Sequence, residues 1–150
     1  MIFRGTFEHA LDAKHRLTVP SKFRPALAEG AVLAKASEIA PGSTRCVSIW
    51  TAAGYEEFTG RVLAGLNPLS PKARDLKRFF FNNSFDVELD SAHRLMIPAT
   101  LMEYAGLDKA VVVAGSGECL ELWDRDAYNA YQNDVMTRIP DIAASLGDTA

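Results

Sequence analysis

The sequence predicts a β-rich α+β protein made of two tandem β-β-α-β-β-α repeats. Three observations carry that prediction. The segment His9 to Pro20 returns seventy-eight positions later as Val87 to Pro98, with Leu11, Asp12, His15, Arg16, Leu17 and Pro20 matched by Leu89, Asp90, His93, Arg94, Leu95 and Pro98. A second echo pairs Cys46-Val-Ser-Ile-Trp50 with Cys119-Leu-Glu-Leu-Trp123, and Tyr55 and Phe58 with Tyr128 and Tyr131, at an offset of seventy-three. Between the echoes, short strand-like runs alternate with segments of helical spacing. Six identities in register mark a duplication, which has to be recognised before any element is assigned. The change of offset gives the first copy five extra residues, which fit within Ser37 to Arg45, where Pro41 and Gly42 mark a loop tolerant of insertion.

In chain order, Phe3 to Leu11 alternates, with Phe3, Gly5, Phe7 and His9 on one side, and predicts a strand. Asp12 to His15 reads as a polar turn, and Leu17-Thr-Val19 resumes the strand pattern, so a hairpin is expected. Pro20 ends it. Ser21 is expected to cap a short helix over Lys22 to Leu27, restricted by Pro25 and closed by Gly30. Ala31 to Ala34 and Cys46 to Trp50 predict two more strands. Thr51 is a candidate cap for a helix carrying Tyr55, Phe58, Val62 and Leu66 at helical spacing.

The connector between copies opens on Ser70 as N-cap with Pro71 at the first helical position. Leu76, Phe79 and Phe80 then share a face, leaving Lys72, Arg74 and Lys77 outward as a solvated basic face or a second phosphate contact. Asn82-Asn83 is a turn before Phe85 opens the second copy, in which Pro98 to Met102 repeats the short helix with Ala99 and Thr100 in place of Ser21 and Lys22. The tail from Ile139, with Pro140 and Gly147, is expected to fray. The expected organisation is a first repeat over 1–69, a helical connector over 70–84, a second repeat over 85–138 and a flexible tail over 139–150.

A chain of 150 residues with 48% hydrophobic and 23% charged residues is an ordinary globular protein, able to bury roughly two-thirds of its unfolded surface. No apolar run approaches a membrane span, no secretory pattern opens the chain, and it reads as cytoplasmic. The two cysteines occupy equivalent repeat positions and read as small buried residues. The net charge of −3 hides an asymmetry: residues 1–85 carry twelve Lys/Arg against seven Asp/Glu, and residues 86–150 carry four against twelve. A basic first half suits a polyanion, and equally a dipolar protein stacking head to tail on itself.

Chemistry concentrates in Asp12-Ala-Lys-His-Arg16. An Asp and an Arg four apart in a turn can pair, and the Asp can accept backbone N–H bonds. Because the pair recurs as Asp90 and Arg94 in the acidic copy, Asp12, Asp90 and Arg94 are expected to hold structure. What differs is the filling, Lys14 becoming Ala92. Lys14, His15 and Arg16, read as lying beside Arg4, form the expected DNA-contacting set, with Lys14 and Arg16 meeting phosphates or guanine edges. His15 also reads as a turn residue, since His tolerates left-handed geometry better than most residues. A Gly-rich phosphate loop, His-x-x-x-His, Cys-x-x-Cys and a Ser-centred elbow are all missing from the sequence, so no enzyme, metal site or cofactor is expected.

The paired Leu-Asp-x-x-x-Arg-Leu-x-[Val/Ile]-Pro segments, the opening Phe3-Arg-Gly5, the Lys-Arg-Phe-Phe connector and the two Leu/Ile-Trp segments resemble the MraZ family over roughly residues 1–138. That resemblance implies an AbrB-like swapped-hairpin barrel with both halves of a pseudo-dimer in one chain, assembled into a ring-like homo-oligomer. It also implies a nucleoid-associated bacterial transcriptional regulator, read here as a repressor. Its expected target is double-stranded DNA: direct repeats in the promoter of the division and cell-wall gene cluster, its own promoter included. The family usually carries Gly where His15 and His93 stand. The alternative is an oligomeric interaction scaffold without specific DNA binding, and salt-dependent retention of a promoter fragment separates the two.

Overall fold

A computed structural model describes residues 2–36 and 45–148. The first copy supplies β1 (Thr6–Ala10), β2 (Arg16–Thr18), a 3-10 turn over Ser21–Phe23 leading into α1 (Arg24–Leu27), β3 (Ala31–Lys35), β4 (Val47–Thr51) and α2 (Ala52–Ala64). The connector is α3 (Pro71–Asn82). The second copy repeats the order as β5 (Ser84–Val87), β6 (Arg94–Met96), α4 (Ala99–Tyr104), β7 (Ala110–Gly115), β8 (Leu120–Asp124) and α5 (Arg125–Asp148). The expected β-β-α-β-β-α order is present twice. The five extra residues assigned to Ser37–Arg45 fall almost wholly outside the described residues.

Strands are exchanged between the copies. The larger sheet has the order β1-β7-β8-β4-β3-β5, antiparallel throughout, so the first strand of each copy lies on the third strand of the other. A pseudo-two-fold axis therefore passes between β4 and β8. The same axis passes through the separate β2–β6 ribbon, where Leu17 stands opposite Leu95. This corrects the expected hairpin. A tight turn does close at Asp12–Arg16, but β1 takes β7 as partner over five residue pairs, more than the three-residue β2 could offer it.

One apolar core joins the copies, which are therefore not separately packed halves. Leu17, Val19 and Leu33 of the first copy and Leu95, Ile97 and Val113 of the second lie in a single cluster between the ribbon and the inner face of the sheet. The outer face carries two smaller clusters. In one, Val32, Ala34, Trp50 and Cys119 lie under Tyr55 and Phe58 of α2; in the other, Cys46, Val112, Ala114 and Trp123 lie under Tyr128 and Tyr131 of α5. Cys46 and Cys119 are buried in different clusters and form no disulfide.

Local signals held at most helix starts. Thr51 Oγ1 accepts from Gly54 N at 3.0 Å, and Ser70 Oγ accepts from Ala73 N at 3.1 Å. Ser21 does not cap: the capping position is Pro20, with no side-chain hydrogen bond, because Pro20 turns the chain directly into the 3-10 turn. Leu66 lies beyond α2, which stops at Ala64, and both Leu66 and Val62 are exposed. The connector places Ala73 and Phe80 in the interior, Leu76 and Phe79 half-buried, and Lys72, Arg74 and Lys77 outward. The tail expected to fray from Ile139 continues α5 to Asp148. Pro140 sits inside that helix, where it cannot donate to the Met136 carbonyl one turn earlier; both residues are exposed. Among the described residues, no helix is long and apolar enough to cross a membrane.

Candidate nucleic-acid interface

Each repeat of Leu-Asp-x-x-His-Arg-Leu folds into the same clamp. In the first, Asp12 Oδ1 accepts from the backbone N–H of Lys14 and of Arg16, both at 2.9 Å, and Oδ2 accepts from Arg16 Nε at 2.6 Å. Asp90 does the same with Ala92 N and Arg94 N at 2.9 Å and with Arg94 Nε at 2.8 Å. The loops close through Asp12 N to Arg16 O at 3.1 Å and Asp90 N to Arg94 O at 3.0 Å. His15 and His93 occupy the left-handed corner, with φ of 57° and 60°, as the turn reading of His15 expects.

The two clamps touch. Arg94 Nη1 lies 3.8 Å from Asp12 Oδ2, joining the second copy's loop to the first. Val19 N donates to His93 O and Ile97 N to His15 O, so each loop is pinned by the strand of the other copy. Both carboxylates sit below the usual Asp range. For Asp12, desolvation pushes the pKa up, but the hydrogen bonds from Arg16 and Lys14 and the Arg16 charge outweigh it. For Asp90, the Arg94 backbone bond is the main cause, with desolvation opposing and the Arg94 side chain adding to it. Both loops are held ionised and rigid, which prepares them to meet a ligand without an ordering cost.

Lys14, His15, Ala92 and His93 are exposed on this joined surface, and Arg16 and Arg94 are half-buried. Arg16 occupies the same clamp as Arg94, so the geometry gives both arginines a structural part and does not divide ligand contact from structure between them as expected from the sequence. Arg4 is not beside the loop. It lies at the opposite end of β1, about 17 Å away along five residues at 3.3–3.4 Å each, where its carbonyl accepts from Lys22 Nζ at 3.3 Å. Lys22 in turn lies over the rings of Phe7 and Phe23. The charge of the segment, on which the expectation for Arg4 rests, carries no information about strand length.

One neighbour of the loop was missed. Lys109 lines the same cleft as Asp12, Ala13 and His15, and its carbonyl accepts from Leu11 N at 2.8 Å. It comes from the other copy through the β1–β7 exchange, and no local signal announces that. The dyad-related cleft is lined by Arg24, Leu89, Asp90 and His93. Among the described residues, no group of His, Cys, Asp and Glu is placed to hold a metal ion.

Comparison with known proteins agrees with the duplicated motif. A family model described as MraZ protein matches the chain twice, over residues 2–79 and 80–144. A protein of Mycoplasmoides gallisepticum named transcriptional regulator MraZ is 34% identical over 98% of this chain and 99% of its own length. Proteins of the same name from Micrococcus luteus and Kocuria rhizophila are 39% and 40% identical over 87% of this chain and 86% of theirs. With the double clamp, the exchanged strands and these full-length similarities in hand, the chain belongs to the MraZ family.

Proposed function

We propose that this protein is a sequence-specific DNA-binding transcriptional regulator, acting as a repressor on direct repeats in the promoter of the bacterial division and cell-wall gene cluster, its own promoter included. The observation that carries the reading is the joined pair of clamps. They hold the exposed Lys14 and His15 and the half-buried Arg16 and Arg94 on one surface at the dyad, the first three from the half of the chain with the excess of Lys and Arg and Arg94 from the other. The relatives' name, transcriptional regulator, points the same way. Contacts to phosphate supply most of such affinity and make it salt-dependent.

A single small basic surface binds weakly, with non-specific affinities near 10⁻⁴ to 10⁻⁶ M. Useful occupancy follows if several copies on one ring engage adjacent repeats. The expected assembly is therefore a ring-like homo-oligomer associated with the nucleoid. Met136, Ile139 and Ile142, large apolar residues exposed on α5, favour self-association. They also keep the scaffold reading in play as the competitor.

The test is binding to a duplex from the protein's own upstream region over a range of salt, with the solution mass measured alongside. The expected result is steeply salt-dependent retention by an assembly whose mass is a multiple of 16.4 kDa. Lys14→Ala, which touches no clamp bond of its side chain, should weaken binding while leaving the melting temperature unchanged. No retention of any upstream fragment, with the assembly intact, would leave the scaffold reading standing.

A further inference from the structure

The β2–β6 ribbon does more than carry two loops. Side chains alternate along a strand, so Leu17 and Leu95 point into the core while Arg16, Thr18, Arg94 and Met96 stand on the outward side. In register, Arg16 faces Met96 and Thr18 faces Arg94. The arginines repeat between the copies and the other outward position does not: Thr18 of the first copy becomes Met96 of the second. Met96 is 54% exposed and belongs to none of the three apolar clusters. An apolar side chain is thus held in water on a face whose other members are two arginines and a hydroxyl.

We propose that Met96 is a specificity-determining residue that seats against the 5-methyl group of a thymine. A two-stranded β-ribbon fits the major groove of B-DNA, and the thymine methyl is the apolar group that the groove displays. The flanking arginines suit phosphates or guanine edges, and Met96 supplies the one large apolar contact at that level of the ribbon. Its flexible, polarisable thioether adapts to such a knob. Thr18, at the dyad-related position, offers a shorter methyl and a hydroxyl. One scaffold with two-fold symmetry therefore reads the two halves of its site differently, and the operator element under one subunit is not a palindrome.

This inference rests on the DNA-binding reading, and the experiment separates the two. A duplex from the protein's own upstream region is prepared with thymine or with uracil throughout the footprinted segment, uracil lacking only the methyl. Wild type and Met96→Ala are titrated against both, and the melting temperature of each is recorded. Wild type should bind the thymine duplex more tightly than the uracil duplex by about fivefold for each repeat engaged, the worth of about one buried methyl group per subunit. Met96→Ala should bind both alike, at the level of wild type on uracil, with unchanged melting. Preference for thymine that survives intact in Met96→Ala belongs to DNA shape and overturns the assignment, as does a wild type indifferent to the methyl. Failure of wild type to bind either duplex would overturn the DNA-binding reading itself.

Discussion

His15 and His93 turn the chain at φ of 57° and 60°, a conformation that costs a residue with a Cβ about 1–2 kcal/mol. Both side chains are exposed, so little packing offsets that cost. Glycine relieves the strain but also loosens the unfolded chain. His93→Gly is therefore expected to raise stability by about 0.5–1 kcal/mol, measured as a shift in denaturant midpoint. The Asp of each clamp gives a second handle. The pKa of Asp90 is lowered from 3.8, so the folded state favours the ionised carboxylate. The stability it contributes is complete above the unfolded value and is lost as pH falls through the depressed folded value. Asp90→Asn keeps an oxygen for the amides of Ala92 and Arg94 but loses the charge facing Arg94 Nε. It should be less stable than wild type at pH 7, with the gap closing below pH 3.8, in paired urea titrations. A gap that persists in acid would mean that shape, not charge, holds the loop.

At the scale of elements, the covers of the outer face show what sequence could and could not say. Trp50, Tyr55 and Phe58 are packed ring to ring, and α3 closes over them with Phe80 at 5.9 Å from Phe58. Tyr55 Oη donates to the Phe80 carbonyl at 3.0 Å, tying α2 to α3. Tyr55→Phe should cost about 1 kcal/mol in a chemical denaturation series, because the Phe80 carbonyl loses a buried partner. The helix itself was legible, since Thr51, Tyr55 and Phe58 are a local pattern. So was the His15 turn, as its residue type suits its φ. The exchange of β1 onto β7 was not visible in local patterning, because a strand's alternation states which face is buried and never which strand lies beside it. The family resemblance supplied what periodicity lacked. Lys109 is hidden from the sequence for the same reason, its place beside the loop being set by that exchange, whereas Arg4 is parted from the loop by the length of its own strand. The α5 extension past Ile139 departs from the usual reading of an internal Pro.

The whole molecule is a symmetric scaffold with asymmetric chemistry. Leu17 and Leu95 meet at the dyad in the ribbon, and the ion contact between Arg94 and Asp12 holds both loops against it. A duplex laid on one loop must therefore come close to the other. The loops have matching backbone bonds, Lys14 N to Asp12 and Ala92 N to Asp90 at 2.9 Å, so the side chains at 14 and 92 leave their loops in equivalent directions. Only the first is a cation. This makes position 92 a probe of whether the acidic copy faces DNA at all. Each phosphate neutralised contributes about 0.9 to the slope of log affinity against log salt. Lys14→Ala should lower that slope by about one unit, and Ala92→Lys should raise it by about one if the second loop also meets the backbone. The double variant, Lys14→Ala with Ala92→Lys, should then recover the wild-type slope while moving the cation to the other side of the dyad. Its footprint should shift relative to that of wild type, because the strongest phosphate contact has changed sides. If Ala92→Lys leaves the slope unchanged while Lys14→Ala lowers it, only the first copy's loop meets the phosphate backbone, and the second loop serves to hold the clamp.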